Sequence, residues 1–233
     1  MDFTSFSLEA AKDGEDRMVY VQDLILVMEF IEEGQRRTEY IDYICDAKDN
    51  NKNDFFFVLY VFILFFSTYF ISGGFDSIEI WSDGGPHHFK TRFCQWTWHH
   101  LSSLFFSSKR ITHNFFASYH GHSVADAHAA TDKRLLRDAY NASQHDRLSV
   151  TEASLNFGPS SAQDLSVLLS SPASRTSVFH LPSIPRDPEL RPHILPLSLI
   201  KSKHSFVYEN GACYAVEQTN KGPDQRFFFH TLV

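Results

Sequence analysis

Ile78-Glu79-Ile80-Trp81-Ser82-Asp83-Gly84-Gly85-Pro86-His87-His88-Phe89-Lys90 alternates apolar and polar residues and then enters a Gly-Gly-Pro turn, with one carboxylate where the alternation stops. Period-2 alternation sends Ile78 and Ile80 to one side and Glu79 and Trp81 to the other, as in a half-buried strand. Asp83 then stands at a strand end, a place from which a carboxylate can serve a metal ion. Gly84 and Gly85 open backbone angles closed to other residues, so a phosphate or a metal can approach the main chain. The same residues also make an ordinary strand-to-turn junction, because Asp-Gly is a common turn pair.

Toward the N-terminus, residues 18–23 read as a first strand ending in Asp23, and residues 24–30 extend it or bend away. Residues 39–45 alternate again and form a second strand, joined to the first through polar residues 32–37 as a hairpin or meander. A polar stretch, 46–54, separates this sheet from the apolar run 55–71. That run is at the short limit for a membrane span and contains Tyr60, Ser67, Thr68 and Tyr69, so it reads as a buried helix ending near Ser72-Gly73-Gly74. Strand 78–81, a helix over 95–106 and a short strand over 114–119 follow. Ser123 and Asp126 then form a Ser-x-x-Asp capping box before a helix over 127–140. Strands alternating with helices predict an α/β fold. Residues 149–177 are Ser-rich and are followed by Pro182, Pro185, Pro188, Pro192 and Pro196, the texture of a linker or irregular wrap. Near the end, Asn210-Gly211 between two alternating runs is a strong hairpin signal. The division expected is a domain over 17–148, a Ser/Pro-rich connection over 149–200 and a small β element over 201–233.

The chain has 233 residues, 43% hydrophobic and 15% aromatic with 23 Phe, which is enough to bury a sizeable core. A net charge of −7 argues against a broad basic face for duplex binding, so any nucleic-acid contact must be local. Cys45, Cys94 and Cys213 are odd in number and widely spaced, which disfavours a secreted disulfide framework. The polar, acidic start lacks the pattern of a signal peptide, so a nuclear or cytoplasmic location is expected.

Three acids occupy comparable places: Asp23 at a strand end, Asp83 at another, and Asp126 in the first turn of a helix. Two-metal phosphoryl transfer uses carboxylates converging from different elements, because hard Mg²⁺ ions prefer oxygen ligands. Each acid also has a plainer role. Asp23 and Asp83 could be surface strand ends, and Asp126 could simply cap its helix. Asp42 and Asp46 compete with Asp23, and Asp132 is the substitute for Asp126. His87, His88, His99, His100, His113, His120, His122 and His128 invite a zinc reading, but no Cys-x-x-Cys or regular His spacing supports one.

Trp81 to Pro86 with His88-Phe89-Lys90, followed by Tyr119-His120-Gly121-His122-Ser123-Val124-Ala125-Asp126-Ala127-His128, resembles the DDE-type transposases of the RNase H-like, retroviral-integrase superfamily. The likeness spans residues 17–140. It implies an RNase H-like mixed sheet flanked by helices, with the first acid on the first strand, the second at the end of the fourth and the third on a following helix. By position these are Asp23, Asp83 and Asp126; the third is most often Glu in the superfamily, so Asp126 departs from the pattern. The resemblance further implies Mg²⁺ or Mn²⁺ as cofactor, transposon-end DNA as partner, and strand cleavage and transfer as chemistry. His120 and His122 would orient a phosphate or water. Lys90, Arg92, Lys133 and Arg137 would hold the DNA backbone, although a solvated basic face explains them equally. A non-catalytic interaction protein that keeps the fold as a scaffold, and a single-span membrane protein anchored by residues 55–71, are the rivals.

Overall fold

Apolar residues run on without interruption from Leu24 to Met28, past Asp23, and strand structure continues with them. A computed structural model describes residues 2–12, 15–46, 54–69, 75, 77–84, 89–106, 109–116, 123–147, 161–170, 176–190, 194, 200–216 and 225–227. In chain order the elements are β1 (Asp2–Lys12), β2 (Glu15–Glu32), β3 (Gln35–Asp46), α1 (Phe55–Tyr69), β4 (Ser77–Ser82), α2 (Arg92–Phe105), β5 (Arg110–Phe115), α3 (Val124–Arg147), α4 (Ala162–Leu169), β6 (Thr176–His180), β7 (Ser205–Glu209), β8 (Ala212–Val216) and β9 (Gln225–Phe227). The fold is mixed α/β, with two mixed sheets. The chain divides into two compact units, Met1–Lys52 with His122–Ser183, and Asn53–Gly121 with Ile184–Val233.

In the first unit the strand order is β1-β2-β3-β6, antiparallel except for the parallel β3–β6 pair. β2 and β3 meet at Glu33-Gly34, both at positive φ (51° and 77°), the two-residue turn whose twist matches a hairpin. The strand expected over 18–23 is therefore longer at both ends, and β1 pairs beside it. α3 starts at the capping box read from the sequence: Ser123 Oγ accepts from the Asp126 amide at 3.1 Å, and Asp126 Oδ2 accepts from the Ser123 amide at 2.8 Å. The Ser-rich stretch differs most from expectation, because it contributes α4 and β6 to this unit. Ser161 caps α4, Asp46 Oδ1 accepts from the Ala162 amide at 3.0 Å, and Leu165 and Leu169 are buried against Val21, Ile44 and Leu136. Serine frequency hid a short amphipathic helix whose caps are themselves serine and aspartate.

The second unit holds the order β4-β5-β7-β8-β9, with β4–β5 parallel and the rest antiparallel. α1 packs on α2 through aromatic rings: Phe62 meets Trp98 edge-on at 4.4 Å, and Phe66 lies against Phe106 at 4.7 Å. Asp54 Oδ1 accepts from the Phe56 amide at 3.1 Å, and Asp54 Oδ2 pairs with Arg186 at 2.6 Å. Among the described residues no helix is long and apolar enough to cross a membrane. The expected Asn210-Gly211 turn joins β7 and β8, with φ of 52° and 70°. The short strand expected over 114–119 lies earlier, as β5, because His113 and Ile111 are inward-facing and extend the buried pattern backward.

Candidate metal centre

Strand register fixes the first two carboxylates. Asp23 lies opposite Ile44 and Asp42 opposite Ile25, so the two acids share one sheet face and sit diagonally across the β2–β3 pair. On β3's other side, Tyr40 and Asp42 lie opposite Thr176 and Val178 of β6. α3 covers this face. Ala125 and Ala129 pack on Ile25 and Val27, and Leu136 packs on Val21 and Ile44. Helical spacing puts His128 and Asp132, one turn apart, between those two apolar contacts and therefore over the acids.

His128 Nε2 lies 3.3 Å from Asp42 Oδ2 and 3.3 Å from Asp132 Oδ2. It is also 3.4 Å from Thr176 Oγ1, and the ring stacks on Tyr40 with centroids 4.6 Å apart. One ligand atom from each of Asp42, His128 and Asp132 lies within 4.8 Å of the others. Asp23, Asp42 and Asp132 are 0% exposed. Among the described residues, both oxygens of Asp23, Oδ1 of Asp42 and both oxygens of Asp132 have no hydrogen-bond partner, the Asp132 contact to His128 being an ion-pair approach without hydrogen-bond alignment.

Orphaned buried carboxylates are expensive, and burial favours their protonated form. Burial, then the charges of Asp42 and Asp132, hold Asp23 well above the usual carboxylate range, with Lys133 opposing. Burial raises Asp42 against the lowering effect of His128. Asp132 is pushed up to about 7 by burial and by Asp42. For His128, burial favours the neutral ring, but the Asp42 hydrogen bond and the charges of Asp42 and Asp132 outweigh it and raise the pKa. One imidazole cannot neutralise three carboxylates. A divalent cation offsets two carboxylate charges where an imidazolium offsets one, and a donor set of oxygens with one imidazole nitrogen suits such an ion.

The other sequence-derived residues fall elsewhere. Asp126 spends its carboxylate on the helix start, accepting from both the amide and the hydroxyl of Ser123. Asp83 is exposed, directly after β4, the fourth strand, in the second unit. His120 and His122 lie outside the described residues. Lys133 and Arg137 are exposed along α3. Lys90 and Arg92 belong to the second unit, where Lys90 Nζ sits 5.1 Å from the Phe115 ring centre and Arg92 sits 4.7 Å from that of Phe93. That unit also buries Ser82 Oγ 2.7 Å from His113 Nε2, with the ring held at a pKa of about 3 by burial and therefore neutral. With Ser82 and His113 both 0% exposed, this pair acts as a core hydrogen bond. Sequence reasoning named Asp42 and Asp132 only as substitutes and did not single out His128. The signal available was the His-x-x-x-Asp spacing on the inner face of α3.

Residues 24–178 match the family described as Domain of unknown function (DUF8701). The match covers more than half of the chain, and the chain belongs to that family. Neither a curated protein nor a solved structure matches it.

Proposed function

For this member of the family we propose a divalent-metal centre serving phosphodiester strand cleavage and transfer, of the DDE type and on an RNase H-like sheet, derived from a transposon. The observation that carries the reading is the group of orphaned carboxylate oxygens on Asp42 and Asp132 beside His128, with Asp23 buried on the same sheet face. Asp23, on β2 rather than on the first strand, keeps the role of first acid, and Asp42 stands in for Asp83, which is exposed after β4 in the second unit. Asp132, which faces the sheet, takes the helix position in place of Asp126, whose carboxylate caps the helix. A bound ion would polarise a phosphoryl oxygen and lower the pKa of an attacking water or hydroxyl. The chain's own residues do the rest. Asp42 and Asp132 converge from strand and helix, Thr176 and Tyr40 fix the His128 ring, and the apolar contacts of Ile25, Ala129 and Leu136 keep the cluster dry, which strengthens every charge interaction within it. Lys133 and Arg137, exposed on α3, would meet a phosphate backbone.

Full burial of the three acids favours a second reading, in which the ion staples α3 to the sheet of a non-catalytic interaction protein. Nicking of supercoiled plasmid by the full chain, with and without Mg²⁺ or Mn²⁺, separates the two. Metal-dependent nicking that vanishes in Asp23→Asn and Asp132→Asn supports the catalytic reading. Nicking unchanged in both variants would refute it, and metal binding without nicking would leave the stapling role.

A further inference from the structure

The donor set is not one that suits magnesium: we infer that Asp42, His128 and Asp132, with Asp23 beside them, select a first-row transition dication, for which Mn²⁺ is the probe, over Mg²⁺. This rests on reading the cluster as a metal centre and goes beyond it by assigning the ion and giving His128 the role of ligand.

The geometry makes the imidazole hard to avoid. His128 Nε2 is 3.3 Å from an oxygen of each flanking carboxylate. Ligand bonds of about 2.1 Å put neighbouring corners of one coordination polyhedron about 3 Å apart. An ion gripped by Asp42 and Asp132 therefore lies within bonding reach of Nε2. The ring is not free to turn aside, being stacked on Tyr40 and within 3.4 Å of the Thr176 hydroxyl.

Two properties of Mg²⁺ count against it here. It prefers oxygen donors and tolerates imidazole poorly, whereas Mn²⁺ and its heavier neighbours accept mixed nitrogen and oxygen sets. It also gives up its waters reluctantly, and a site whose carboxylates are 0% exposed leaves little room for them. Asp23, fully buried on the same sheet face, lies beside the three rather than among them and leaves no opening there for a shell of waters. The orphaned oxygens account for the need of a cation, and His128 accounts for the choice among cations.

The test uses the full chain stripped with EDTA. Titration calorimetry with MnCl₂ and with MgCl₂ should give a Kd for Mn²⁺ lower by about tenfold or more. Pulsed EPR of the Mn²⁺ form should show coupling to one imidazole nitrogen, a readout that needs neither activity nor a variant. His128→Ala, with His128→Gln as the bulkier substitute should the alanine variant fold poorly, should remove that coupling. It should weaken Mn²⁺ binding about tenfold or more while moving Mg²⁺ binding far less. Equal affinities, or bound Mn²⁺ without nitrogen coupling, would overturn the inference and leave an all-oxygen metal centre standing. Binding of neither ion would remove both.

Discussion

Replacing Asp132 with Asn should make the metal-free protein more stable at neutral pH. Asp132 moves from an ordinary 3.8 to about 7 on folding, so between those values the folded state holds a proton that the unfolded state releases. Stability from this group is therefore fully present below about pH 4 and is lost as pH rises through 7. The slope approaches −1.4 kcal/mol per pH unit, and the whole change is on the order of 4 kcal/mol. Asp23 and Asp42, also raised, push in the same direction, as does His128 near neutrality. His113 opposes: its depressed pKa of about 3 removes stability as pH falls from 6.5, so the total curve of the wild type is flatter than Asp132 alone would give. The difference between wild type and Asp132→Asn cancels the His113 contribution. Urea unfolding in EDTA at intervals from pH 4 to 7.5 should show the variant more stable by about 2 to 4 kcal/mol at the upper end and nearly equal at the lower. A variant equal to or weaker than wild type at pH 7.5 would mean that the Asp132 carboxylate is comfortable where it sits, and the case for a metal centre would collapse.

Asp126→Asn should lower stability by about 1 kcal/mol or less through the weakened cap, while leaving Mn²⁺ affinity unchanged in calorimetry. Phe62→Asp, which places a charge against Trp98 and Phe66, should destabilise the protein by about 3 to 5 kcal/mol in urea unfolding. Lys133→Ala combined with Arg137→Ala should flatten the slope of log K against log salt for DNA by about 2 units if both meet phosphates, and an unchanged slope would place the DNA elsewhere.

Much of the fold was legible because its signals were local. The Ser123–Asp126 box, the Asn210-Gly211 turn and the apolar run of α1 each depend on residues within a few positions of one another, and each element stands where that pattern puts it. β1 and β6 were not legible. Their place depends on pairing with β2 and β3, and the β3–β6 ladder joins residues such as Asp42 and Val178 that are far apart in the chain. The candidate site divides in the same way. Asp23 stood out as the acid that ends an alternating run, although its strand continues to Glu32. Asp42 and Asp132 were readable only as substitutes, since nothing local distinguishes a buried carboxylate from one at a surface. Asp126 belongs to a motif that also describes a helix cap, and its Oδ2 is engaged in that cap. His128 shares a helix face with Asp132, but its meaning comes from Asp42 on β3, a partner that only the packed sheet supplies.

The most direct test is an anomalous difference map from crystals of the full chain grown with Mn²⁺. A peak within bonding distance of carboxylate oxygens of Asp42 and Asp132 and of His128 Nε2 is the predicted result. Well-ordered Asp42, His128 and Asp132 side chains with no peak among them, or Mn²⁺ bound only elsewhere on the protein, would contradict the account.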